Sequence, residues 1–157
     1  MMKRLFAFAL VMAAAVVFAA ETKSENKKSA TGKGGAKFKI VTVEEWHAAH
    51  EAGDYRELWY LVDSGKNVQT ARAELGDAAL FNRYTELLTR YFAKYSPGVV
   101  STALLHMEKL LPAVDPVRAM VNLTYINSRI KLVSEKEPER WAGARKRMDK
   151  MLKTVNK

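Results

Sequence analysis

Three of the four prolines in this chain sit directly behind a residue suited to cap a helix. The pairs are Ser96-Pro97, Asp115-Pro116 and Glu137-Pro138. Proline is favoured at the first helical position, where its missing N–H would have had no partner and its fixed φ already suits a helix. Upstream, Thr42 followed by Glu45 makes a capping box, with Val41 and Trp46 at the two positions of a hydrophobic staple. Four helix starts in about a hundred residues leave little room for a sheet, and no long β run or hairpin turn interrupts them. The fold class is therefore all-α: a compact bundle or stacked helical hairpins of six to seven helices.

The apolar spacing fills in the rest. Helices are expected over residues 43–53, 55–64, 68–75, 77–95, 97–111, 116–134 and 138–155. Asp54 and Asp77 are read as caps, and Gly65 as the stop of the second helix. The clearest stripe is Leu80, Phe81, Tyr84, Leu87, Leu88, Tyr91, Phe92 and Tyr95, with the steps of a helix buried on one side. Its aromatic residues are read as core and not as a stacking platform. The 116–134 segment has apolar residues on two sides (Val117, Val121 and Leu132; Met120, Leu123 and Ile130), so it is expected to be the most enclosed helix.

The amino-terminal part does not read as fold. Lys3 and Arg4 precede an unbroken apolar run over residues 5–20. That is shorter than the ~20 residues a spanning helix wants and suits a secretory signal. Cleavage after Ala19 satisfies the small-residue rule, so residues 1–19 are expected to be a signal peptide. Residues 21–37 contain no Leu, Ile, Val or aromatic residue. With so little to bury, residues 20–37 read as a flexible Lys/Gly/Ser-rich linker. The glycines and lysines of 31–37 lack the spacing of a phosphate-binding loop. Residues 38–157 then form a single all-α domain. The implied destination is export, periplasmic or secreted, with peripheral association to a membrane.

Zero cysteines remove disulfides, thiolate catalysis and thiolate metal sites. The formal charge of +9 is unevenly placed. Residues 40–137 hold eleven basic and thirteen acidic residues, whereas 138–157 hold seven basic and two acidic, and 21–39 hold six Lys and two Glu. The basicity sits at the ends, which argues against a nucleic-acid-binding surface spread over a domain.

Two constellations stand out. His47 and His50, with Glu51, form the only plausible metal-ligand set, suited to zinc, copper or nickel. On an ideal helix both histidines share the face of Val43 and Trp46, so packing competes with that reading. A di-iron bundle is excluded by ligand count, since His106 is the only other histidine. The last helix sets Trp141, Ala144, Met148, Met151, Leu152 and Val155 against Arg140, Lys146, Arg147, Lys150, Lys153 and Lys157. That basic face can meet anionic lipid or wall polymer, while the apolar face docks on the bundle.

No nucleophile–base–acid set is recognisable, so no catalytic residue and no cofactor are assigned. The sequence therefore points to a non-catalytic, exported helical domain that serves as a protein-interaction or scaffold module of the cell envelope, its partner an unidentified envelope protein. The alternatives are attachment to an anionic surface through the linker and the last helix, and a small metal-binding protein using His47 and His50.

Overall fold

The computed structural model describes residues 39–157. The expected signal peptide and linker, and the first residue of the expected domain, lie outside the described residues. Seven α-helices follow in order: α1 Val43–Ala52, α2 Glu57–Asp63, α3 Gly65–Leu75, α4 Asp77–Arg90, α5 Pro97–Leu110, α6 Pro116–Ser134 and α7 Pro138–Val155. Short 3-10 turns at Phe92–Lys94 and Leu111–Ala113 join α4 to α5 and α5 to α6. There is no strand among the described residues.

The caps explain most boundaries. Thr42 Oγ1 accepts from the Glu45 backbone N–H at 3.2 Å, and the Glu45 carboxylate accepts in return from Thr42 and Val41. Those two N–H donors hold the Glu45 carboxyl below the usual carboxylate range. Ser96 and Asp115 cap α5 and α6 through the backbone of Val99 and Arg118. Glu137 makes no such bond at α7. The staple does not form: Val41 stays in solvent and Ile40 is buried in its place.

Three other boundaries differ from the spacing. α2 begins two residues late because Asp54 folds back on Arg56, accepting from both its backbone and its guanidinium and forming a local turn. Gly65 opens α3 instead of closing α2, since Ser64 is extended and caps Asn67. Asp77 is the first residue of α4 and not its cap; its carboxylate is engaged by Arg72 at 2.8 and 2.6 Å. Gly76, at φ 80°, makes the corner.

α4, α5, α7 and α6 pack in a closed ring, each against the next, with α2 and α3 laid against α5 and α4 and α1 against α2. The aromatic stripe is core, as its spacing implies: Phe81 and Tyr84 are fully buried and Phe92 and Tyr95 nearly so. It bends, however. α4 ends at Arg90, and Tyr91 and Tyr95 reach back to donate to the Gly53 and Tyr55 carbonyls at 2.7 and 2.9 Å. Those two bonds fasten the α1–α2 loop to the end of α4.

The expectation for residues 116–134 is overturned. α6 buries one face only, with Ala119, Leu123, Ile126 and Ile130 in the core. Val117 is 73% exposed, Val121 63%, Leu132 60% and Tyr125 53%. Among the described residues, the ring has a neighbour for one side of α6 and none for the other. α7 does dock: Trp141, Ala144, Met148 and Met151 are buried, and Trp141 stacks on Phe92 with ring centroids 5.4 Å apart.

Candidate functional site

The histidines of α1 are built into the packing around one buried acid. Glu57, at the start of α2, is fully buried. Its Oε1 accepts from Trp46 Nε1 at 3.1 Å and lies 2.7 Å from His50 Nδ1. Its Oε2 accepts from Arg83 Nε at 2.7 Å and from Arg83 Nη2. A carboxylate taken out of water needs such compensation. Arg83 spends its remaining N–H groups on Glu86 and the His50 carbonyl. Burial works against the guanidinium's charge, and the two carboxylates outweigh it, leaving Arg83 above its ordinary pKa.

His47 reaches elsewhere. Its Nε2 lies 2.6 Å from Glu74 Oε2 on α3, and the Trp46 ring lies 5.0 Å from the His47 ring and 6.0 Å from that of His50. Glu51 is exposed on the flank of α1. So the structure places the three sequence-chosen residues on one helix but aims the two rings at different carboxylates. No group of three or more acidic and histidine side chains stands ready for a metal among the described residues.

His106 on α5 has its Nδ1 3.0 Å from the buried Tyr84 hydroxyl. Burial, and then the nearby Lys109, lower its pKa. Burial raises that of Tyr84. The pair is therefore held neutral, which favours a hydrogen-bonded core contact over an ionised nucleophile.

The basic residues of α7 divide. Arg140 pairs with Glu137 at 2.9 Å and Lys150 with Glu108 at 2.5 Å. Arg147, half-buried, donates from Nε to Ser101 Oγ at 3.3 Å. Lys146 and Lys153 are exposed with no acidic partner among the described residues, and Lys157 follows the helix end in solvent. Since the apolar side of α7 is used in the core, this helix has charge but no greasy face to offer.

The apolar surface lies instead on α6, where sequence reasoning missed it. Two-sided apolar spacing is compatible with an enclosed helix and with one whose second side is left for a partner. One available signal separates them: the residues interleaved with Val117, Val121 and Leu132 are Arg118, Thr124, Ser128 and Arg129, all exposed. No helix among the described residues is long and apolar enough to cross a membrane. No known family model matches this chain, nor does any curated protein or solved structure.

Proposed function

We propose that this chain is an exported, non-catalytic helical module of the cell envelope that works by binding, and that the outer face of α6 is its contact surface. One observation carries this reading. Val117, Val121, Tyr125 and Leu132 are four of the five large hydrophobic side chains that the described residues leave exposed. All four stand on α6. Scattered exposed hydrophobics are ordinary, whereas a contiguous set marks a contact surface. Three titratable groups support the same reading: ion pairs hold Arg83 above and Asp54 and Asp77 below their ordinary pKa values, which leaves them poorly suited to move protons.

A photo-crosslinking side chain at Val121, compared with one at the exposed Gln69 on α3, tests this in envelope fractions. Adducts at Val121 that disappear in Leu132→Asp are expected. Equal labelling from both positions would remove the α6 surface from the reading.

A second reading, attachment to an anionic membrane or wall surface through residues 20–37 and the outer face of α7, is favoured by Lys146 and Lys153, which are exposed and have no acidic partner among the described residues. Such contact would be electrostatic and weaken with salt.

A further inference from the structure

The outer face of α6 is amphiphilic in a definite pattern. At about 100° per residue, Val117, Val121, Tyr125 and Leu132 fall within roughly 80° of one another, along ~22 Å of helix. They lie opposite the buried Ala119, Leu123, Ile126 and Ile130. Arg118 and Arg129 flank the stripe on one side and Lys131 on the other, all exposed. Arg129 lies over the Tyr125 ring, 5.7 Å from its centroid. α6 itself contains no Asp or Glu. The acids closest to it in sequence are Asp115 at its N-cap and Glu135 at its C-cap, beyond the two ends of the stripe.

We infer that this ridge seats on an anionic lipid surface, with Val117, Val121, Tyr125 and Leu132 at headgroup depth and Arg118, Arg129 and Lys131 among the lipid phosphates. This rests on the reading of α6 as the contact surface and names its partner. Two observations select lipid over other occupants. An apolar stripe rimmed by cations, with an aromatic residue carrying a polar tip, is the composition that suits the boundary between headgroups and acyl chains. A second copy of the chain is disfavoured by charge: antiparallel pairing centred on the stripe brings Arg118 towards Arg129 on the shared flank, and parallel pairing sets Arg129 against Lys131.

α7 cannot take this role by insertion, because Trp141, Met148 and Met151 are already in the core. Its free lysines add attraction at a distance, and the ridge supplies the part of the binding that salt does not screen.

The absence of cysteine permits a single-site probe in the full chain. Val121→Cys and Gln69→Cys are each labelled with an environment-sensitive dye and mixed with vesicles of phosphatidylcholine, with and without phosphatidylglycerol. The readout is local because residues 5–20 carry an apolar run of their own. A blue shift at position 121 but not at 69, stronger with phosphatidylglycerol and persisting in about 0.5 M salt, is the expected result. Adding Val117→Asp and Leu132→Asp should reduce the shift roughly tenfold at fixed lipid, consistent with loss of buried apolar area. Lys146→Gln/Lys150→Gln/Lys153→Gln should leave it intact at saturating lipid. Unchanged circular dichroism verifies that the exposed substitutions spare the fold.

No shift at 121, or equal shifts at 121 and 69, overturns the assignment. If the shift is absent while Val121 crosslinks to an envelope protein, the lipid assignment falls and the α6 surface stands. If neither vesicle nor crosslink responds, both fall.

Discussion

Arg83 of α4 and Glu57 of α2 form a buried ion pair, with Arg83 only 10% and Glu57 0% exposed in their side chains. The pair joins the helices either side of α3, and through His50 and Trp46 it also holds α1. Arg83→Met leaves Glu57 buried with its main counter-charge gone and should lower stability by about 3–5 kcal/mol in chemical denaturation. Glu57→Met combined with Arg83→Met should cost less than the sum of the single changes, because the two side chains are in contact. Additive losses would mean that the pair is not coupled.

The two faces of α6 should respond oppositely to substitution. Leu123→Ala removes a fully buried side chain and should cost about 2–5 kcal/mol. Val121→Ser, on the exposed face, should stay within about 0.5 kcal/mol. Thermal melts of the two variants decide this, and a large loss at Val121 would put a hidden neighbour on that face.

His106 and Asp54 give the stability curve two slopes in the same direction. The folded state lowers His106 below its ordinary value of 6.5, so the unfolded chain takes the proton first. Stability is therefore held above that pH and lost as pH falls through it. Groups facing the ring include Tyr84 and Lys109. His106→Gln should flatten the melting-temperature curve between roughly pH 7 and 5.

Asp54 acts lower on the scale. Arg56 holds its carboxyl below 3.8, so its contribution is complete above that pH and disappears as the folded-state value is crossed. Asp54→Asn should remove part of the acid-side slope below about pH 4. A parallel curve for either variant would contradict its assignment.

Gly53 closes α1 at φ 63°, and its N–H bonds back to the helix. A Cβ there meets only Arg90 Nη1 at 3.8 Å, an ordinary contact, so the penalty is conformational and not steric. Gly53→Ala should cost about 1 kcal/mol. Gly65→Ala, in open space at ordinary φ inside α3, should be neutral or stabilising. Denaturant midpoints of the two variants check the contrast.

Helix number and most starts were legible in the sequence because caps are local: Thr42, Ser96 and Asp115 bond residues three positions away. The aromatic stripe was legible as one face of a helix, and its burial agrees with the structure. Histidines 47 and 50 were seen to share Trp46's face, but not to meet Glu74 and Glu57, which lie 27 and 7 residues along the chain. Asp77 was misread as a cap because its partner, Arg72, sits on the preceding helix.

Local chemistry thus determined that the described residues are helical, where α1, α5, α6 and α7 begin, and that the basic charge gathers towards the two ends of the sequence. Tertiary structure decided which apolar residues are core. A stripe such as Val117, Val121 and Leu132 has the same spacing whether a neighbour covers it or not. The ring of α4, α5, α7 and α6 covers one side of α6 and leaves the other in solvent. Burial is a property of the neighbours a helix acquires, and those are set by packing across the whole domain.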